Sequence, residues 1–321
     1  MDRQLSLEFA RITEQAALKS ARLVGLGDKE GADQAAVDGM HEQFALTPVS
    51  GTVVIGEGEI DEAPMLYIGE HVGQGGEEVD IAVDPVEGTN LVAKGKNGAI
   101  AVLAIAPKGC LLHAPDMYMQ KICVGPRAKG RIDIRASVTE NLKNVADAMG
   151  REVSDLTMVI LDRERHEKII REAREAGARV YLITDGDVVP SVDCGIQGSG
   201  IHMVMGSGGA PEGVLSAVGL KCLGGGMQAR LLPQTEQEIQ RLHTMGIDDP
   251  NKVLTLDDLV KGDDCIFAET AITDCAMLRG VRFFGGGART STLVLRYKTG
   301  TVRFIDTVHR FGEDKPGVRM F

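Results

Sequence analysis

LTMVILDRERHEKIIREAREAGARVYLITDGD, residues 156–187, reads as strand, helix, strand. The strands span 156–161 and 179–184, the helix spans 164–176, and Gly177 supplies the helix stop. Two strands joined by a helix need a crossover connection, so the spacing predicts a parallel pair and an α/β texture from about residue 151 onward. Further on, GSGGAPEGVLSAVGLKCLGGG reads as a glycine loop opening a helix near Pro211, and a charged helix follows around 234–244. FFGGGARTST reads as a turn, and STLVLRYKTGTVRFIDTVH alternates about a central Thr-Gly as a hairpin does.

The first half has another character. Residues 4–24 form an amphipathic pattern with Leu5, Phe9, Ile12 and Ala16 on one stripe, and 32–45 form a second helix with Val37, Met40 and Phe44 on its apolar side. Asp33 faces the interior or caps that second helix. A strand at 52–55 breaks into an acidic glycine turn, VDIAV is a strand ending at Asp84, and 98–106 is a buried strand. These patterns predict two domains, α+β over 1–150 and α/β over 151–321. No internal repeat or low-complexity linker marks the boundary.

Composition narrows the function classes. The chain has 321 residues, 43% hydrophobic and 25% charged, with 35 basic against 46 acidic side chains and a net charge of −11. That balance argues against nonspecific binding to nucleic acid or anionic membrane, while a small phosphate ester can still be held locally. Six dispersed cysteines without a CxxC pair read as reduced thiols of a cytoplasmic protein. The N-terminus is neither a signal peptide nor a membrane span.

Acidic residues collect where strands end or helices begin: Asp33, Glu57 with Glu59 and Asp61, Asp84 with Glu87, Asp185 with Asp187, and Glu212. Oxygen donors without a His or Cys cluster suit Mg²⁺ or Mn²⁺ better than zinc. In DPVEGT, residues 84–89, Pro85 turns the chain so that Asp84 and Glu87 face one point. Gly88 then lets a phosphate approach the backbone, and Thr89 offers a hydroxyl. The same residues also make a good helix cap, with Asp84 as N-cap, Pro85 at N1 and Glu87 at N3. Glu57, Glu59 and Asp61 alternate, so three carboxylates point one way in an extended segment or line a solvated turn. Gly208 and Gly209 before Pro211 and Glu212 form an anion nest at a helix start. Arg163 and Arg165 after the first strand of the βαβ unit clamp a phosphate or cover a solvated helix start. His166 reads as part of that solvated start. Asp185 and Asp187 accept sugar hydroxyls or mark an Asp-Gly turn. Tyr118 is core or a phosphate donor.

DPVEGT resembles the Asp-Pro-(Ile/Leu)-(Asp/Glu)-Gly-Thr signature of the lithium-sensitive, metal-dependent phosphatase superfamily. Together with GDKEGADQAAV, GTVVIGEGEIDEAPMLYIGE, APDMYM and GGAPEGV, it makes nearly the whole chain resemble the bacterial class II fructose-1,6-bisphosphatases. The resemblance implies a two-domain layered sugar-phosphatase fold of α+β and α/β parts, shared with inositol monophosphatases. It implies hydrolysis of the 1-phosphate of fructose 1,6-bisphosphate in gluconeogenesis, with Mn²⁺ or Mg²⁺, by a homodimer or homotetramer. Metal ligands would be Asp33, Glu57, Asp84, Glu87 and Glu212. Substrate would meet Glu87, Gly88, Thr89, Tyr118, Arg163, Glu164, Arg165, Asp185, Gly186, Asp187 and Gly209. Thr89, aided by Glu59 or Asp61, would orient or activate the attacking water, with a covalent phosphothreonine as the other route. Some relatives also accept sedoheptulose 1,7-bisphosphate. A noncatalytic metal- or nucleotide-binding regulator is the alternative from a different class.

Overall fold

In a computed structural model that describes residues 1–2, 4–58, 65–114, 117–244, 247–249 and 251–311, the first element is the expected amphipathic helix. Helix α1 (Leu5–Ser20) runs into a 3₁₀ turn, Ala21–Leu23, and buries Leu5, Phe9, Ile12 and Ala16. Helix α2 (Lys29–Phe44) starts earlier than its apolar pattern, because Asp28 caps it by accepting the Gly31 N–H at 2.8 Å. Asp33 therefore lies inside the helix and is not its cap. The two helices pack closely at Gly39, where a Cβ would meet the Gln15 carbonyl at 2.9 Å.

Strands β1 (Val49–Ile55), β2 (His71–Val72), β3 (Glu77–Glu87) and β4 (Ile100–Pro107) follow, with a one-turn helix α3 (Thr89–Ala93) after β3. β1 and β3 are parallel, and their pairing ends at Ile55 opposite Ala82. β3 was expected to stop at Asp84 and instead continues through Pro85 to Glu87. The last three residues lie beyond β1's pairing, so on that side the missing Pro85 N–H leaves no ladder bond unmade. The reading of Asp84, Pro85 and Glu87 as a helix cap is overturned: Gly88, at φ 93° and ψ 45°, precedes the helix, and Thr89 is its first residue.

The chain then builds β5 (Tyr118–Val124), α4 (Val138–Met149), β6 (Thr157–Leu161), α5 (Glu167–Glu175), β7 (Arg179–Ile183), α6 (Val188–Asp193), β8 (Met203–Gly209), α7 (Ala210–Leu223), β9 (Gly226–Leu231), α8 (Glu236–Thr244) and β10 (Leu254–Thr255). The strands order as β10-β9-β5-β8-β6-β7. β6 and β7 are parallel, as the βαβ pattern requires, and β8 joins β6 in parallel. The glycines read as a loop at 206–209 are strand residues, paired from Gly206 opposite Lys121 to Gly209 opposite Tyr118. The expected anion nest there is absent as a loop.

β11 (Ile266–Ala271), β12 (Arg282–Phe284), β13 (Gly287–Arg296) and β14 (Thr301–Arg310) return to the first sheet, whose order is β12-β13-β11-β4-β3-β1-β2 with β14 on β13. β13 and β14 are the expected hairpin. A threonine ladder joins α1 to this sheet: Thr13 to Thr270 and Thr270 to Thr292, each at 2.8 Å. The chain thus divides into a unit made of Met1–Ile105, Ile266–Arg296 and the residues from Thr301 on, and a second made of Ala106–Cys265 and Tyr297–Gly300. The expected boundary near 150 falls inside the second unit, between α4 and β6. The change of texture there marks the onset of parallel pairing, whereas the seam itself lies at the end of an uninterrupted apolar strand. Both sheets mix parallel and antiparallel pairs, a layered α+β and α/β architecture. Among the described residues, no helix is long and apolar enough to cross a membrane.

In the second unit the Asp193 carboxylate is buried with both oxygens unpartnered, and burial pushes its pKa up to about 7. A raised carboxyl pKa means the fold favours the protonated form, so the cost is absent well below the unfolded value and complete once pH exceeds the folded one. Asp193→Asn is expected to stabilise the protein at pH 8 by on the order of 2–4 kcal/mol, and by distinctly less at pH 5. Denaturant titrations at the two pH values check this, and an equal effect at both would contradict it.

Candidate active site

The parallel pair β1 and β3 directs its carboxyl ends the same way, and such ends are where α/β sheets place ligands. Glu57 follows β1 by two residues, with its N–H donated to the Leu66 carbonyl at 3.0 Å. Its carboxyl meets that of Asp33 on α2. Burial, then the Asp33 charge and the hydrogen bond with it, push the Glu57 pKa up to about 8. Burial also raises Asp33, against the Glu57 hydrogen bond and Lys29. Two carboxyls this close share one proton near neutral pH, and a divalent cation can take that proton's place.

Asp84 and Glu87 stand at the end of β3. Glu87 is buried, and Asp84 folds back so that its Oδ1 accepts the Val86 N–H at 3.1 Å. An oxygen of each lies within 4.8 Å of the other, a spacing compatible with one shared cation. Gly88 has to be glycine: besides its positive φ, a Cβ would meet Leu91 Cδ1 at 3.0 Å. Thr89, next to these carboxylates in the sequence, is half-buried and opens α3, a helix of a single turn. Glu59 and Asp61 lie outside the described residues.

The second unit gathers its residues at one end of its sheet. β6, β7 and β8 finish there and the antiparallel β5 starts there. Arg165 lies over the Tyr118 ring, 5.0 Å from its centroid, and donates to the Ser207 carbonyl at 2.9 Å and the Ser207 hydroxyl at 3.1 Å. Arg163 donates to the Asp162 carbonyl at 3.0 Å and the Thr184 carbonyl at 2.7 Å, tying the ends of β6 and β7 together. Glu164 is exposed beside them. His166, expected in a solvated start, is buried, with Nδ1 on the Leu161 carbonyl and Nε2 accepting the Ser207 N–H at 2.9 Å. This leaves its ring neutral, and burial lowers its pKa. Gly186, at φ 77°, turns the chain between half-buried Asp185 and buried Asp187. Glu212 stands in the first turn of α7, as expected.

The residue that sequence reasoning missed is Lys121. It is 1% exposed, and its Nζ donates to Asp187 Oδ1 at 2.7 Å. Burial opposes its charge, but Asp187 and then Glu212 outweigh burial and hold its pKa above the ordinary value. A lysine alternating with Met119 and Cys123 along YMQKICV was the available signal, since a cation inside an apolar strand needs a buried acid. The glycines of β8 make the space: a Cβ on Gly208 would meet Asp187 Oδ2 at 2.9 Å, and one on Gly209 would meet Glu212 Oε2 at 2.0 Å. They accommodate carboxylates where a loop nest for an anion was expected.

Residues 3–309 match the family of bacterial fructose-1,6-bisphosphatases, glpX-encoded. Among curated relatives, a protein of Synechococcus sp. (strain JA-2-3B'a(2-13)) named D-fructose 1,6-bisphosphatase class 2/sedoheptulose 1,7-bisphosphatase is 50% identical over 100% of both chains. Bearing the same name, a Crocosphaera subtropica protein is 48% identical, over 96% of this chain and 97% of its own. An Acaryochloris marina protein, its name carrying a final 2, is 47% identical over 98% of each. This chain belongs to the bacterial, glpX-encoded fructose-1,6-bisphosphatase family and is a phosphoric monoester hydrolase.

Proposed function

We propose that the chain hydrolyses the 1-phosphate of D-fructose 1,6-bisphosphate, giving fructose 6-phosphate and phosphate. The observation that carries this is a pair of close carboxyls after each of two parallel strands, Glu57 with Asp33 of α2 beyond β1 and Asp84 with Glu87 at the end of β3, the latter followed directly by Gly88 and Thr89. Asp33, Glu57, Asp84 and Glu87, joined by Glu212 as the family resemblance implies, hold Mn²⁺ or Mg²⁺. The all-oxygen donor set and the shared proton of Asp33 and Glu57 fit that choice. Bound there, the ion supplies positive charge to the phosphate oxygens and to the departing sugar oxygen.

The chain's own residues do the rest. The Gly88 backbone lets the scissile phosphate approach the Glu87–Thr89 segment. Thr89 holds the attacking water through its hydroxyl, and Glu59 or Asp61 takes the water's proton. The water oxygen attacks phosphorus, the bond from phosphorus to the C1 oxygen breaks, and the departing C1 oxygen takes up a proton from solvent. Arg165, already fixed on Tyr118 and Ser207, meets the second phosphate with Arg163. Glu164, Asp185, Gly186, Asp187 and Gly209 line the sugar's side. Pre-set donors lose little entropy on binding, which favours catalysis by positioning.

The relatives' names support a second activity, on sedoheptulose 1,7-bisphosphate, at the same site. Phosphate release from both esters and from inositol 1-phosphate, with and without Mn²⁺, tests the reading. Release only from inositol 1-phosphate, or from nothing, would overturn it, and the second outcome would favour the noncatalytic regulator. Thr89→Ser should keep substantial activity and Thr89→Ala should lose about a hundredfold in kcat. An alanine variant at the normal rate would remove Thr89 from the mechanism. All six cysteines are free thiols, which supports a cytoplasmic setting. The half-exposed Val302, Phe304 and Val308 of β14 support self-association as a homodimer or homotetramer.

A further inference from the structure

A cavity of about 670 Å³ opens in the second unit, away from the sheet end that carries Arg165 and Asp187. Arg127, Arg151, Arg179, Tyr181, Ser199 and His202 line it, against a glycine-rich segment after α6. Gly198 and Gly200 have φ of 91° and 77°, with nothing within 4 Å of where a Cβ would stand. Three guanidiniums share this opening in a protein of net charge −11. Among the described residues none of the three is paired with a carboxylate. Arg179 donates to the Asp155 backbone carbonyl, Arg151 faces His202, and Arg127 has no hydrogen-bond partner.

The contact of Arg151 with His202 is informative. His202 Nδ1 accepts the Thr157 N–H at 2.9 Å, so in the neutral ring the proton sits on Nε2. That N–H faces the Arg151 Nη1 donor at 2.9 Å. Two donors meet with no acceptor between them. Burial, then Arg151 and Arg179, lower the His202 pKa, against the Thr157 backbone hydrogen bond and Asp155. The ring therefore gives up its charge to its cationic surroundings.

We propose that this cavity is a second ligand site, taking a phosphate-bearing small molecule whose phosphate oxygens accept from Arg127, Arg151, Arg179 and the His202 Nε2–H. A phosphate dianion supplies the missing acceptors and offsets two of the three guanidinium charges, and the planar forks match its geometry. The cavity's size leaves room for the body of a phosphate ester beside Tyr181.

The test is calorimetric titration of the full chain in chelator, with inorganic phosphate, pyrophosphate and a nucleoside monophosphate as separate probes. At least one should bind in the micromolar range. Arg127→Glu and Arg151→Ala should each weaken it about tenfold or more, while Asp84→Asn and Arg165→Ala leave it unchanged. All three arginine heads lining the cavity are exposed, so these variants keep the fold. Tighter binding of the ester than of inorganic phosphate assigns the site to a phosphorylated metabolite, and the reverse assigns it to free phosphate. No binding at millimolar probe, binding unmoved by both cavity variants, or binding lost with Arg165→Ala would overturn the proposal.

Discussion

Asp84→Asn is expected to lower kcat about a hundred- to a thousandfold while leaving the fold intact. The asparagine oxygen still accepts the Val86 N–H that Asp84 Oδ1 now takes at 3.1 Å, so the backbone at the end of β3 keeps its course. What disappears is one negative charge from a pair whose oxygens lie within 4.8 Å of each other. Without a cation, like charges at that distance repel, so the metal-free variant should melt at or slightly above the temperature of the metal-free parent. With Mn²⁺ the order should reverse, because the variant gains less stability from the ion. Phosphate release and melting curves with and without Mn²⁺ read both effects. A variant with full turnover and undiminished stabilisation by Mn²⁺ would exclude Asp84 as a ligand.

Lys121→Met should cost about 3–5 kcal/mol of stability, because it strands the Asp187 charge inside the second unit. The ammonium is 1% exposed and its partner 7%, so water cannot replace the lost contact. Met matches the stem in volume, which separates the loss of charge from the opening of a cavity. Adding Asp187→Leu should restore much of the stability, since a well-packed apolar pair often equals a buried ion pair. The double variant should nonetheless stay weak in catalysis, because the Asp185–Asp187 segment no longer presents its carboxylate to the sugar. Unfolding midpoints in denaturant and KM for the bisphosphate separate the two roles. A single variant as stable as the parent would show that Asp187 is solvated.

Where one local rule governs, the sequence was readable. The βαβ unit, the buried strand at β4 and the final hairpin each follow from a single periodicity or turn signal. The same holds for the one-sided burial of α1. DPVEGT misled because proline after an acid is a strong cap signal, and nothing local reveals that β3 outruns its neighbour β1 by several residues. The glycines at 206–209 misled for a related reason. Their smallness answers a demand from Asp187 and Glu212, residues that the primary pattern does not connect to them. Lys121 went unread because its acid partner is 66 positions away. The three arginines around His202 converge from three separate stretches, with no motif in any of them. Of the candidate acids, the nearness of Asp84 to Glu87 was legible in DPVEGT, while that of Asp33 to Glu57 was not, because it follows from a helix laid against a strand end.

The chain leaves its first sheet after β4 and rejoins it at β11, which hydrogen-bonds to β4 along Ile100–Ile105. On the ribosome, then, the earlier-made sheet, with β4 already beside β3, waits with the other edge of that fully apolar strand open until some 160 further residues, Ala106–Cys265, have emerged. The inserted unit is contiguous but for a four-residue turn and can settle first. A nascent chain stalled or cleaved before residue 266 would present that bare edge to its neighbours, the geometry from which intermolecular sheets grow.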